Sequence, residues 1–146
     1  MLQNSAFAIA LVFGTVLIHA ACSVLILGWA RAVKRHHLIV RSTISKAAIV
    51  SAYVLIMALA AFTESALWAA FYVWVGALPD FSDAIYFSLV TFTTLGYGDV
   101  TLNDAWRMLA ATQAATGILI FGWSTAVIVA VVQHAMHHEL PPDVDA

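Results

Sequence analysis

Long apolar runs separated by short polar segments make up most of the chain. Three runs exceed the roughly 20 apolar residues that a helix needs to cross a bilayer, and they cover residues 5–30, 45–75 and 105–133. A shorter run over residues 82–93 spans about half the hydrocarbon core as a helix, at about 1.5 Å per residue. The pattern therefore predicts an all-α membrane protein with three transmembrane helices and one half-length helix.

Positive charge is concentrated between the first two predicted spans. Only Arg107 of the six lysines and arginines lies elsewhere. The link between these spans, together with the first residues of the second span, contains Arg31, Lys34, Arg35, Arg41 and Lys46. Because basic loops are retained on the cytoplasmic side of membranes, we predict that this link is cytoplasmic. The N-terminus is then outside, and the third span returns the C-terminus to the cytoplasm.

The composition limits the classes of function that the chain can serve. It is 63% apolar and 10% charged, whereas a soluble domain carries about 25% charged residues. The net charge of -2 gives no electrostatic reason to bind nucleic acid. The sequence has no phosphate-binding loop, nucleophile elbow, carboxylate pair or zinc-type Cys/His cluster, and its single cysteine, Cys22, cannot form an intrachain disulfide. We therefore expect one membrane-embedded domain that is not an enzyme and needs no cofactor.

The segment after the half-length run has the most distinctive composition. Residues 93–99 read TTLGYGD, so that Gly96 and Gly98 flank Tyr97 and the acid Asp99 follows. Irregular backbone is tolerated at membrane depth only where it is buried in protein or lines a watery path. Glycine permits the positive φ angles that turn successive carbonyl groups toward one axis. A half-length helix followed by an extended return predicts a re-entrant loop with Asp99 at its outer mouth.

This loop resembles the selectivity filter of potassium channels. Residues 81–99 (FSDAIYFSLVTFTTLGYGD) are similar to the pore helix and filter of bacterial channels with two spans per pore, and residues 116–126 (TGILIFGWSTA) to their inner helix. The additional first span resembles small three-span members of the same superfamily. The resemblance implies a homotetramer in the lipid bilayer of the bacterial inner membrane, which conducts K⁺ passively.

The resemblance also assigns roles to individual residues. The filter would be formed by Thr94, Leu95, Gly96, Tyr97 and Gly98, with K⁺ held by oxygens of the first four. The side chains of Leu95 and Tyr97 would point away from the axis and pack behind the filter. The inner helix would have its hinge glycine at Gly117, with Gly122 as a second flexible point.

Four residues are expected to support the filter, namely Tyr86, Val90, Thr91 and Thr93. Val90 occupies the position where some bacterial members have a glutamate, and the hydroxyl of Tyr86 has the reach to bond Asp99. Leu95 stands where valine is commonest. This substitution leaves a weakly selective cation channel as one alternative, and a non-conducting channel-like scaffold subunit as another.

An acidic residue, Glu64, lies inside the second predicted span. Acids at membrane depth usually have a functional or pairing role. Helix rise puts His19 of the first span within about 6 Å of the same depth, so this pair could dock the first helix onto the pore domain. The alternatives are that Glu64 supports the pore helix through Thr91 or Thr93, or bonds a nearby hydroxyl or backbone group.

Two further assignments concern helix ends and faces. Ser82 is a candidate N-cap for the half-length helix, because serine readily accepts bonds from the first turn. Thr116, Ile120 and Trp123 share one face of the third span and are predicted to line the cavity or its rim.

The predicted organisation has three parts. Residues 1–43 form the additional helix and basic link, residues 44–135 the pore domain, and residues 136–146 a short cytoplasmic tail. His134, His137 and His138 follow the inner end of the third span. Because histidine titrates near neutral pH, these residues could confer proton-dependent gating; the alternative is a polar tail that simply ends the helix.

Overall fold

The structure is a computed structural model that describes residues 2–35 and 43–136. Within these ranges the chain is mostly helical and has no strand. Its four helices are α1 (Leu2–Arg35), α2 (Thr43–Trp74), α3 (Phe81–Phe92) and α4 (Arg107–Met136). Three of them contain segments long and apolar enough to cross a membrane, at Ser5–Trp29, Ala47–Trp74 and Arg107–Gln133. The predicted all-α architecture of three spans and one half-length helix is confirmed.

The helix α2 is central, because it packs against each of the other three helices. The helix α3 lies against α2 and α4, whereas α1 lies against α2 and α4 but makes no contact with α3 in the described residues. The ring of Phe7 lies 5.2 Å from that of Phe71 and 6.1 Å from that of Trp74, and Trp106 lies 6.0 Å from Phe71. The start of α1, the end of α2 and the start of α4 therefore share one end of the bundle.

The apolar core lies toward this end of the bundle. Trp68 and Tyr72 of α2 are completely buried, and the ring of Tyr72 meets that of Phe87 in α3 edge-on at 5.4 Å. The other buried members of this core are Leu11, Ala69, Leu78, Ala84 and Leu109. Because lipid is as apolar as these side chains, close van der Waals packing and hydrogen bonds hold the helices together.

The helix α1 turns its polar residues toward the protein. One buried stripe of this helix contains Leu11, Thr15, His19, Ser23 and Ile26. The opposite face is apolar and exposed, with Ile9, Phe13, Leu17, Val24 and Leu25. The indole Nε1 of Trp68 donates to Thr15 Oγ1 at 3.0 Å. This division is expected for a helix that faces lipid on one side, because an unpaired polar group is costly in hydrocarbon.

The start of α3 differs from the prediction. Asp80 is the N-cap instead of Ser82: its backbone is extended (φ -144°, ψ 168°), and its Oδ1 accepts from the backbone N–H of Asp83 at 2.9 Å. The helix therefore begins at Phe81, one residue earlier than expected, and Thr93 is its C-cap. Aspartate and serine are both good N-caps, so the sequence alone offered two nearly equivalent starting points.

The helix α1 extends beyond its membrane-spanning segment. The span ends at Trp29, close to the predicted end at residue 30, whereas the helix continues through Arg35. Arginine and lysine have high helix propensity, so the helical backbone does not need to stop where the apolar run stops.

Candidate functional site

The loop of residues 93–99 has an unusual backbone. The φ angles are positive at every second residue, with +61° at Thr94, +58° at Gly96 and +79° at Gly98. The positive φ angles expected for the two glycines are confirmed. That of Thr94 was not expected, because a β-branched residue in this region carries a strain of about 1–3 kcal/mol. The surrounding contacts must therefore hold Thr94 in place.

Alternation of this kind changes where the carbonyl groups point. In an ordinary extended strand, successive residues face opposite sides. When the sign of φ alternates from one residue to the next, successive carbonyl groups can face the same side. A row of peptide oxygens arranged in this way can replace the water around a cation. Among the described residues, no group of three or more His, Cys, Asp or Glu side chains could hold a metal ion. The oxygens that the loop itself offers are backbone carbonyls and threonine hydroxyls.

Backbone hydrogen bonds attach the first residues of the loop to the C-terminal end of α3. The carbonyl of Val90 accepts from the backbone N–H of Leu95 at 3.0 Å and from that of Gly96 at 3.2 Å, while the carbonyl of Thr91 accepts from Thr94 N–H at 2.9 Å. The hydroxyl of Thr93 donates back to Leu89 O at 2.7 Å. Carbonyls at a helix end lack partners within the helix, and here the loop supplies them. Val90 contacts the loop through its backbone, which any residue type would provide.

The upper end of the loop is tied to α3 by a side chain. The hydroxyl of Tyr86 donates to Asp99 Oδ2 at 2.6 Å, which confirms the predicted contact. This hydrogen bond lowers the pKa of the Asp99 carboxyl from its ordinary value and raises the pKa of the Tyr86 hydroxyl. A cavity of about 180 Å³ lies between α3 and the loop, and it is bordered by Tyr86, Phe87, Val90, Thr91, Gly96, Gly98, Asp99, Val100 and Thr101.

The side chains of the loop are not covered by their own chain. Leu95 is 55% exposed and Tyr97 is 68% exposed. Their own chain therefore does not cover them, and the expectation that they pack behind the filter stays a prediction for the assembled protein. Large apolar side chains exposed side by side in a structured loop mark an interaction surface.

A second set of polar residues, which the sequence analysis missed, lies on the protein side of α3. The Tyr72 hydroxyl donates to Gln113 Oε1 at 2.8 Å, and Gln113 Nε2 donates to Ser88 Oγ at 2.5 Å. The Ser88 hydroxyl donates in turn to the Ser65 carbonyl at 2.6 Å. Tyr72, Ser88 and Gln113 are completely buried. We call these four residues the α3 network, because they connect α3 to both α2 and α4.

A signal for the α3 network was present in the sequence. Gln113 is an uncharged amide within the apolar run of the third span. Amide and hydroxyl side chains inside transmembrane helices usually bond across helices. Charged residues alone therefore do not indicate every polar contact at membrane depth.

The two predicted hinge glycines have different surroundings. A Cβ atom added to Gly117 would lie 1.9 Å from the carbonyl oxygen of Phe92, so that only glycine lets α4 approach the end of α3 this closely. A Cβ atom added to Gly122 would meet nothing within 4 Å. Gly117 therefore has a packing function, and a hinge at either glycine stays a prediction.

His19 and Glu64 meet as one of the sequence hypotheses proposed. His19 Nδ1 lies 3.0 Å from Glu64 Oε1, and both side chains are completely buried. The other ring nitrogen, Nε2, lies 3.2 Å from Ser124 Oγ in α4. We call these three residues the α1 network. The alternative contact from Glu64 to Thr91 or Thr93 is not formed, since Thr93 bonds within its own helix and Glu64 Oε2 has no partner among the described residues.

The prediction that Thr116, Ile120 and Trp123 line a cavity has a different outcome for each part of α4. Thr116 is 5% exposed and Ile120 2% exposed within the single chain, so neither is free to line a cavity on a symmetry axis, and that assignment is wrong. Trp123 is partly exposed and meets the His19 ring edge-on at 5.3 Å. The exposed face of α4 instead carries Ile118, Leu119, Phe121 and Thr125.

The prediction of proton-dependent gating concerns three histidines near the C-terminus. The side chain of His134, together with His137 and His138, lies outside the described part of the chain.

Comparison with known proteins gives one match. A family model described as "Ion channel" matches residues 49–134, which is more than half of the chain. The match begins within α2, includes α3 and the whole loop, and ends within α4. The helix α1 lies outside it. No curated protein and no solved structure matches the chain.

Proposed function

Because this chain belongs to the ion channel family, whose members are not enzymes, we propose that it forms a homotetrameric pore that conducts K⁺ selectively and passively. The observation that carries the proposal is the alternation of positive φ angles at Thr94, Gly96 and Gly98 in a loop tied to α3 at both ends. In this proposal α3 is the pore helix, residues 94–98 are the filter and α4 is the inner helix.

Ions would lose their water at the filter. Carbonyl oxygens of Thr94, Leu95, Gly96 and Tyr97, with the Thr94 hydroxyl, would form stacked rings when four chains meet around one axis. Binding at several adjacent sites allows an entering ion to displace the next, so that strong coordination remains compatible with flow.

Exposure in the single chain supports the oligomer. One chain provides only one wall of a pore, and its loop leaves Leu95 and Tyr97 uncovered. Neighbouring copies around a four-fold axis would cover these side chains, which are otherwise unsuited to a water-filled pore.

Electrostatics favour a cation along this path. The pore helix ends at Thr93, and its negative dipole end would face the cavity below the filter. Asp99 lies at the opposite end of the filter, where four carboxylates would concentrate cations. The Tyr86 hydrogen bond lowers the pKa of Asp99 and thereby favours the charged form of this carboxyl.

The orientation follows from the basic link. The start of α1, the end of α2 and the start of α4 share one end of the bundle, so that the end of α1 and the start of α2, which flank the basic link in the sequence, lie toward the other. By the positive-inside rule, the N-terminus and the filter mouth would face outward and the C-terminus the cytoplasm. The resemblance to bacterial channels favours the bacterial inner membrane.

The test is ion flux into liposomes that contain the purified protein, measured separately for K⁺ and Na⁺. We expect a K⁺ flux that is much larger than the Na⁺ flux. Equal flux of both ions would indicate a weakly selective cation channel. A folded oligomer that neither conducts nor binds K⁺ would indicate a scaffold subunit.

Gly96→Ala is the decisive variant, and Gly76→Ala is its matched control. Both glycines have positive φ angles, +58° and +68°, and neither would bring a Cβ atom within 4 Å of another group in the chain. The backbone strain of an alanine, about 1–2 kcal/mol, is therefore similar at both. Only Gly96 lies in the filter, so we expect Gly96→Ala to abolish selective flux and Gly76→Ala to retain it.

A further inference from the structure

We propose that Gln113 is a positioning residue for the filter: by holding Ser88 from the inner helix, it fixes the rotation and depth of the pore helix and thereby determines the discrimination between K⁺ and Na⁺. This inference rests on the proposed function, and it places a determinant of ion selectivity outside the filter.

The hydrogen bonds of the α3 network run in one direction. Tyr72 donates to Gln113, Gln113 donates to Ser88, and Ser88 donates to the carbonyl of Ser65. Gln113 Nε2 also lies 3.3 Å from the Ser88 carbonyl, so that both of its N–H groups point at Ser88. With its side-chain amide turned over, the Gln113 oxygen would face that carbonyl, and two acceptors cannot bond. The amide therefore has a single orientation.

The network contacts the pore helix at a position that affects the filter. Ser88 precedes Val90 by two residues, and the Val90 carbonyl holds the backbone N–H groups of Leu95 and Gly96. A rotation or shift of the pore helix at Ser88 would move this carbonyl and with it the base of the filter. Because ion coordination requires oxygens at fixed positions, a displacement of this kind changes selectivity before it disrupts the fold.

The inner helix contacts the pore helix at a second point, and the two contacts are four residues apart on both helices. Gln113 and Gly117 are four residues apart, as are Ser88 and Phe92, so each pair lies on one face of its helix. Gln113 bonds Ser88, and Gly117 allows the close approach to the Phe92 carbonyl. Two contacts one turn apart define both the height and the rotation of one helix relative to the other, whereas one contact would leave a pivot.

A purely structural function of the network predicts a different result. If Gln113 only held the helices together, its replacement would lower stability and leave the ratio of K⁺ to Na⁺ flux unchanged. If it positions the filter, this ratio falls in tetramers that still assemble. The flux ratio, compared at equal amounts of assembled protein, therefore separates the two functions.

The experiment compares the wild type with Gln113→Met, which has a similar volume but no hydrogen-bonding amide. The flux ratio of K⁺ to Na⁺ should fall by about fivefold or more, which corresponds to a loss of about 1 kcal/mol in the discrimination between the two ions. The same variant should need more K⁺ to protect the purified tetramer against thermal unfolding, since a ligand stabilises only the state that binds it. Gln113→Asn keeps the amide but shortens its reach, and it should behave like Gln113→Met.

Two single-link variants keep the proposal testable if Gln113→Met does not assemble. Tyr72→Phe and Ser88→Ala each remove one hydroxyl of the network and should lower the flux ratio in the same direction. The matched control is Tyr53→Phe, because Tyr53 is also buried in α2 but its hydroxyl has no partner among the described residues. This control should leave the flux ratio and the K⁺ protection unchanged.

The possible outcomes are distinct. Assembled Gln113→Met, Tyr72→Phe and Ser88→Ala tetramers with the wild-type flux ratio and K⁺ protection would overturn the inference while leaving the proposed function intact. A wild type that neither prefers K⁺ in flux nor is protected by it would overturn the proposed function, and the inference with it.

Discussion

The α3 network and the α1 network both hold α4 through buried polar side chains, but they differ in how fully their hydrogen bonds are satisfied. In the α3 network, the side chains of Tyr72, Gln113 and Ser88 all have partners, and each of their donors points at an acceptor. Ser65 contributes its carbonyl, while its own buried hydroxyl has no partner among the described residues and is not part of this series of bonds. In the α1 network, Glu64 Oε2 is buried without a partner among the described residues. The first arrangement allows one geometry, whereas the second leaves an acceptor free.

The two networks also differ in whether the positions of their hydrogen-bonding protons are determined. Ser124 Oγ lies 3.0 Å from the Ile120 carbonyl and 3.2 Å from His19 Nε2. A hydroxyl has one proton to donate, so Ser124 can donate to only one of them, and the tautomer of His19 depends on which. A series of hydrogen-bonded side chains whose donors and acceptors are all paired specifies a unique structure, while one that includes an unpaired acceptor tolerates alternatives. We therefore expect the pore helix to be held more rigidly than α1.

The largest expected effect comes from Gly117→Ala, which would break the contact between the inner helix and the pore helix. The new Cβ atom would lie 1.9 Å from the Phe92 carbonyl oxygen, which is backbone and cannot turn aside. Such overpacking should cost about 3 kcal/mol or more. Denaturant unfolding in detergent measures this cost, and tetramer assembly should also be lost.

The control for this substitution is Gly122→Ala on the same helix. Its Cβ atom would meet nothing within 4 Å, and alanine favours a helix over glycine by about 0.5–1 kcal/mol. The control should therefore be neutral or slightly stabilising in the assembled protein. Equal stability of the two variants would show that the approach at Gly117 is not tight.

The sequence was sufficient for those parts of the structure that depend on local patterns. Helix number follows from the length of the apolar runs, and the positive φ angles of Gly96 and Gly98 follow from residue type. The cavity face of α4 was assigned wrongly through Thr116 and Ile120, because a helix that is apolar all round has no stripe to show which side is buried. Packing alone decides that rotation.

Contacts between polar side chains were predictable only in part. The approach of His19 to Glu64 follows from depth along two helices, which simple arithmetic gives. The bond from Gln113 to Ser88 also requires the rotation of α4 relative to α3, and depth does not supply it. The left-handed φ angle of Thr94 has the same origin, since it depends on bonds to the end of α3 instead of on its own residue type.

An intermediate effect is expected where α1 docks. His19→Leu removes the only hydrogen-bond partner that Glu64 has among the described side chains and should destabilise the docked helix by about 1–3 kcal/mol. Hydrogen exchange measures this directly, because the amides of α1 should exchange faster while those of α3 remain protected. Equal acceleration in both helices would contradict the difference in rigidity between the two networks.

A double-mutant cycle isolates the pair itself. Glu64→Leu and His19→Leu each leave one buried polar partner unpaired, whereas the double variant leaves neither. The double variant should therefore be more stable than the sum of the two single effects predicts, by about 0.5–3 kcal/mol. Strict additivity would show that the 3.0 Å contact contributes no coupling.

The smallest effect is expected at the exposed tie between Tyr86 and Asp99, which contrasts with both buried networks. Its hydrogen bond lowers the pKa of Asp99, so its contribution to stability is complete above the ordinary aspartate value, about 3.9, and disappears as the pH falls through the lowered pKa. Tyr86→Phe should return the Asp99 titration toward that ordinary value in a carboxyl NMR titration, with little change in stability between pH 5 and 8. In the reciprocal variant, Asp99→Asn, the raised pKa of Tyr86 should fall, as ultraviolet absorbance would measure. An Asp99 titration that is unchanged by Tyr86→Phe would mean that water replaces the 2.6 Å bond at no cost.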